Sequence, residues 1–191
     1  MGNNFILLFI LFLNATGFGV FGEDCVTFDF EDDFDNSFSH EIGVCSSLGP
    51  SALWRVGNYS EVGIESPDPL SASFISPSNT LSCVTSFTFT MSDKGMLEVN
   101  LYMEAYALTD QIVVIVNQIV PGGNDAAIGT TFMMPLLPNY YHGWHTLTIS
   151  LNGFGNIDGY ISLTGAAAEG SLILLDSFRY VSLIQSKFSN W

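Results

Sequence analysis

The sequence predicts an all-β chain folded as an antiparallel two-sheet jelly-roll sandwich. Three observations predict it. Apolar and polar residues alternate with period two along most of the chain. Glycine-, proline- and asparagine-bearing turns separate the alternating runs. Acids border strand-like runs at both ends, in Phe28-Asp29-Phe30-Glu31 and in Leu174-Leu175-Asp176-Ser177-Phe178. A jelly roll brings its first and last strands together, and paired acids there can tie them, often through a cation.

The chain opens on an unbroken apolar run, Phe5 to Leu13, too short to span a bilayer and right for the apolar region of a signal peptide. Small residues follow, and cleavage after Gly22 gives a signal peptide of residues 1–22 and a single domain of residues 23–191. The segment before the run holds no Lys or Arg, so an uncleaved anchor is the competing reading. No later stretch approaches the roughly 18 apolar residues of a transmembrane segment.

Next come two irregular stretches, Glu23–Ser47 and Gly49–Pro77, which read as loop-rich. The regular part follows. Phe87, Phe89 and Met91 alternate with threonines; Leu97, Val99, Leu101 and Met103 alternate with polar residues; so do Leu147, Ile149 and Leu151. Each such strand buries one face and wets the other. Ile112–Val116 and Leu172–Leu175 are continuous apolar runs and predict strands buried on both faces. Ser92–Gly95, Pro121–Asn124, Asn152-Gly153 and Asp158-Gly159 read as turns. At least eight strands are expected.

Nineteen acids stand against four bases, Arg55, Lys94, Arg179 and Lys187, for a net charge of -15. That field repels phosphate backbones and anionic lipid, which excludes nucleic acid as a partner and suits a basic protein or a divalent cation. Of the three cysteines, Cys25, Cys45 and Cys83, two should pair in an oxidising compartment and one is left over. Asn58-Tyr59-Ser60 is a glycosylation acceptor that agrees with secretion. A second acceptor, Asn14-Ala15-Thr16, falls inside the signal peptide.

No nucleophile elbow, zinc-protease helix, phosphate loop or Cys–His motif occurs, so no catalytic role is expected. His142 and His145 fall on opposite faces of a strand, which argues against joint zinc ligation. Trp54 and Trp144 read as packing residues. Tyr140 and Tyr141 follow the proline-flanked loop Pro135–Pro138 and are the candidate ligand-contact residues. No motif specifies an oligomeric state.

In order, these segments resemble a MAM domain, the extracellular module named for meprin, a neuropilin-type receptor and a receptor phosphatase. Phe28–Glu31 resembles its opening strand and Leu53-Trp54 its early tryptophan. Ala72–Pro77, Cys83–Met91 and Gly95–Val99 resemble its three successive central strands. Trp144 with Leu147, Ile149 and Leu151 resembles its late tryptophan strand, and Leu174–Phe178 its closing strand. Three features depart from the pattern: the fourth cysteine is missing, Ser177 replaces the second closing acid, and Cys25 lies further ahead of the opening strand. Carbohydrate-binding modules of the same jelly-roll type share the opening and closing acids.

The resemblance implies that Glu31 and Asp176 lie close together and hold a structural Ca2+, with Asp29 and Asp33 as supporting ligands. It implies a Cys25–Cys45 disulfide, closing a loop of about 20 residues for ~3 kcal/mol, and leaves Cys83 as the orphan. The phase of the Phe87–Met91 alternation turns Cys83 inward as a buried free thiol, and an intermolecular disulfide is the alternative. The resemblance implies a secreted module that recognises an extracellular protein, in adhesion or a related interaction. A lectin-like carbohydrate-binding module and a structural matrix component are the alternatives.

Overall fold

The computed structural model describes residues 25–32, 34–48, 54–152 and 155–182. The expected signal peptide and Trp191 lie outside them. The fold is a β-sandwich of two six-stranded antiparallel sheets. In chain order the elements begin with β1 (Val26–Phe28), the short helix α1 (Phe34–Ser37), β2 (Phe38–Ser39) and a 3-10 turn at Gly43–Ser47. The chain continues through β3 (Arg55–Asn58), the short helix α2 (Tyr59–Val62), β4 (Ser73–Ser76), β5 (Ser82–Ser86) and β6 (Phe89–Met91). The long strands close it: β7 (Met96–Glu104), β8 (Gln111–Gln118), β9 (Ala126–Met133), β10 (Gly143–Ser150), β11 (Ile157–Ala166) and β12 (Leu172–Val181).

The first sheet runs β10-β7-β12-β4-β3, with β1 also on β12; the second runs β2-β5-β11-β8-β9, with β6 also on β11. One edge of β12 is shared. β4 pairs at Leu175, and β1 pairs at Phe178–Tyr180. The register slips by one residue between Leu175 and Ser177, which makes Asp176 a β-bulge at the point where one partner hands over to the other.

Period-two alternation becomes burial as expected. In β7, Leu97, Val99, Leu101 and Met103 are buried while the intervening residues are half-exposed. The inner faces of both sheets supply one core, and a run of phenylalanines fills its β1 end: the rings of Phe28, Phe30, Phe34 and Phe38 contact one another at 5.0–6.0 Å. Trp54 is in this core, its indole N–H donating to the Leu163 carbonyl at 3.2 Å.

Three details differ from the sequence expectation and one, the burial of Leu172–Leu175, agrees with it. Ile112–Val116 is not buried on both faces. Ile112, Val114 and Val116 are buried, but Val113 and Ile115 are half-exposed on the outer face of the second sheet. Leu172–Leu175 does approach burial on both faces, because Leu174 packs under Tyr59 and Phe74 in a second apolar cluster. Trp144 belongs to that outer cluster, not to the central core. Asp158-Gly159 is not a turn but the start of β11; Gly159 is needed because a Cβ there would sit 2.3 Å from the Asn117 carbonyl oxygen.

Candidate functional site

The two terminal acids do meet, through Ser71. Its hydroxyl lies 2.9 Å from Asp176 Oδ1 and 3.3 Å from Glu31 Oε1. Glu31 Oε1 also accepts the backbone N–H groups of Ala72 at 2.6 Å and Ser73 at 2.8 Å. Partial burial works to raise the Glu31 pKa, but those donors outweigh it and hold the carboxyl below its usual range. Asp176 is 3% exposed, and both its oxygens are engaged: Oδ1 accepts the Tyr59 hydroxyl at 2.7 Å and Oδ2 the Ser177 hydroxyl at 2.7 Å. Burial first, then the bond to Asp176 and its charge, push the Tyr59 phenol far above its ordinary value.

The chemistry of this cluster is a lock. The segment from α2 to Ser71 crosses the outer face of the first sheet, and four polar side chains fasten it to β1 and β12. Alternation after Leu174 puts Asp176 on the covered face, and the bulge lets Ser177 share that face while Phe178 returns to the core. Asp29, Asp68 and Asp176 share the lining of an adjoining cleft of about 390 Å³ with Asn100 and Ser177. Of the expected calcium ligands, Glu31 is taken up by the lock, Asp29 is exposed with its side chain accepting the Glu31 N–H, and Asp33 lies outside the described residues. Among the described residues, no group of three or more His, Cys, Asp or Glu side chains is arranged to hold a metal ion.

The cysteines correct the sequence reading. Cys45 is bonded to Cys83, with Cα atoms 5.2 Å apart, and Cys25 is the free, exposed thiol. The expected Cys25–Cys45 bridge fails because Cys25 precedes β1 on the first sheet while Cys45 lies over the second. Cys83 is buried, but not inward in phase with Phe89: Val84 holds the core side of β5, and Cys83 lies under the 3-10 turn as a bridged cysteine and not a free thiol. The bridge fastens the 3-10 turn onto β5. Gly43 (φ +59°) completes the fit: a Cβ there would lie 2.5 Å from the Tyr160 hydroxyl. That hydroxyl donates to Asp125 at 2.8 Å, and burial, then Asp125, push the Tyr160 pKa up to about 12.

A third polar centre was not foreseen. Asp110, fully buried, accepts the N–H groups of Tyr106 (3.1 Å), Ala107 (2.9 Å) and Ala168 (2.7 Å) and the Ser171 hydroxyl (2.5 Å). Burial alone raises its pKa; the donors overcome this and hold it below the usual range. Asp110 thereby fixes the loop 105–110 between β7 and β8. The Ala105 N–H donates to the Tyr140 hydroxyl at 2.8 Å, which ties this loop to the loop 134–142 before β10.

The two tied loops present exposed apolar side chains. Tyr106 is 67% exposed, Leu108 70%, Leu136 65% and Tyr141 57%. Of the expected contact pair, Tyr141 is on this surface, while Tyr140 is half-buried and structural, stacked at 6.0 Å on the buried His145. His142 bridges the loops, its ring 5.9 Å from Tyr106 and 5.7 Å from Tyr140. His142 and His145 do not share a strand as expected: His142 is an exposed loop residue just before β10, and His145 is buried within it. Glu104 accepts the hydroxyls of Tyr106 and Tyr102, and these bonds lower its pKa.

Among solved structures, the chain is similar to the K1 cleaved adhesin domain of Lys-gingipain from Porphyromonas gingivalis W83. Identity is 14%, with 84% of this chain and 99% of that chain covered and a TM-score of 0.50. It is also similar to the K2 adhesin domain of Lys-gingipain, at 10% identity, 83% and 90% coverage and a TM-score of 0.47. A β-1,3-glucan-binding module from Bacillus halodurans matches at 14% identity, 69% and 87% coverage and a TM-score of 0.41. At 14% identity the first of these likenesses bears on the β-sandwich fold alone. No protein-family model and no curated protein matches the chain. No helix among the described residues is long and apolar enough to cross a membrane.

Proposed function

We propose that this chain is a secreted, non-catalytic recognition module that binds an extracellular protein of basic character. The observation that carries the reading is the surface of Tyr106, Leu108, Leu136 and Tyr141 on two loops held rigid by Asp110 and Tyr140. Solvent-exposed tyrosine and leucine on a preorganised support are what a protein partner buries at the centre of an interface. The net charge of -15 steers basic partners toward the molecule. The Cys45–Cys83 bridge supports an oxidising compartment. The MAM resemblance and the fold shared with an adhesin domain point the same way.

A glycan is the second reading, and one observation favours it. Tyr106 and His142 offer ring faces beside the Glu104 carboxylate, a pairing that suits the apolar face and hydroxyls of a sugar. Calcium enters the proposal only at the cleft lined by Asp29, Asp68 and Asp176, on the side of the exposed Asp29, since Glu31 and both oxygens of Asp176 are engaged by the lock.

The labelled mature chain, applied in parallel to an array of basic extracellular proteins and to a glycan array, separates the readings. Protein binding that falls at least tenfold in Tyr106→Ala/Tyr141→Ala is expected. Glycan binding alone, or binding indifferent to both tyrosines, would overturn the first reading.

A further inference from the structure

We propose that Asn58 carries an N-linked glycan whose role is to cover the terminal strand β3 and keep it from pairing with a second copy of the chain. The proposal rests on the secretory passage inferred above. Among the described residues β3 ends the first sheet, with β4 on one side only. A terminal strand offers unpaired backbone groups, and an apolar residue on it invites edge-to-edge association. Val56, in the middle of β3, is 50% exposed. Natural sheets guard such edges with charge, proline, a bulge or a covering group, and β3 has Arg55 as its single charged residue.

Asn58 is placed to supply the cover. It is the last residue of β3, exposed, with extended backbone (φ -115°, ψ 141°) at the start of α2. An asparagine there ordinarily caps the helix with its side chain. Here the side chain makes no capping bond, so its carbonyl oxygen does not tie the amide group to α2. Ser60, the acceptor hydroxyl of the tripeptide, is exposed as well.

The intervening Tyr59 is buried, and its hydroxyl bond to Asp176 spans 117 residues of sequence. Until β12 is made, Tyr59 lacks this anchor and the tripeptide rests on its pairing with Ala72 and Ser73, which leaves it open to a transferase during translocation. The co-substrate is an oligosaccharide on a lipid diphosphate. The bond from Asn58 Nδ2 to sugar C1 forms as the bond from C1 to the phosphate oxygen breaks. The diphosphate leaves with the bonding pair, and the amide proton passes to base.

The test expresses the full chain in eukaryotic secretory cells alongside Asn58→Gln and Ser60→Ala. Ser60→Ala leaves β3 and Asn58 intact, so it separates loss of glycan from loss of fold. Wild type should lose one glycan mass on peptide N-glycosidase treatment and should sediment as a smaller species than either variant at equal concentration. Absence of the chain from the medium would overturn secretion and this proposal with it. A secreted chain without glycan at Asn58 would overturn this proposal alone. Variants that secrete normally and match the association state of wild type would overturn the shielding role.

Discussion

The two outer faces of the sandwich are covered in the same way and fastened by different chemistry. On the first sheet, the segment from α2 to Ser71 is held by Glu31, Tyr59 and Asp176, a set of hydrogen bonds to carboxylates. On the second, the 3-10 turn is held by the Cys45–Cys83 bond and the fit of Gly43 against Tyr160. One fastening responds to pH and the other to redox potential. A short acidic chain gains rigidity from both without a third sheet or a long helix.

Breaking the bridge should have the larger effect. A span of 38 residues is worth about 4 kcal/mol on the chain-entropy account. For a domain of this size that lowers the melting temperature by roughly 8–16 °C. Differential scanning calorimetry of Cys45→Ala/Cys83→Ala checks it. If Cys25→Ala gives the larger loss, the pairing is wrong.

Asp176→Ala comes next. It removes the acceptor for the hydroxyls of Tyr59, Ser71 and Ser177 and should destabilise by about 3 kcal/mol in urea unfolding. A loss below about 0.5 kcal/mol, the scale of an ordinary surface substitution, would remove the lock from the account.

Acid should loosen the first cover and spare the second. Glu31 and Asp110 both titrate lower in the fold than in the unfolded chain. The stability they contribute is whole above the unfolded carboxylate pKa of about 4 and is lost as pH falls through their lower folded values. Glu31→Gln should therefore flatten the acid limb of the stability curve below about pH 4, while the double cysteine variant should keep its slope.

The smallest effect concerns calcium. Tyr59→Phe removes one hydrogen bond to Asp176 and should cost about 1 kcal/mol. Calcium or chelator should shift the melting temperature by less than that substitution does, because the lock oxygens already have donors. A calcium-dependent rise exceeding the Tyr59→Phe shift and abolished by Asp29→Asn would place a cation in the cleft.

Much of this architecture was legible because a period of two is a local signal. The alternation at Leu97–Met103 and Leu147–Leu151 specified strands with one buried face. The acids of the two end segments were legible as a pair because a jelly roll brings its first and last strands together. Legibility stopped where identity depends on distant neighbours. Three cysteines allow three pairings, and only the placement of Cys25 and Cys45 over different sheets decides among them. Asp110 looked like one more turn acid; its four donors come from loops some sixty residues apart. Tyr140 and Tyr141 are adjacent in sequence, yet one is a loop tie and the other a surface residue. Tyr106 and Leu108 carried no pattern, because their exposure follows from how Asp110 folds the loop beneath them.

The central claim is that the two covers are fastened independently, and native-state hydrogen exchange tests it most directly. In Cys45→Ala/Cys83→Ala, amides of residues 43–48 and of β5 should lose protection while residues 59–73 exchange as in wild type. In Asp176→Ala the pattern should reverse. Loss of protection over both covers in either variant would contradict the account.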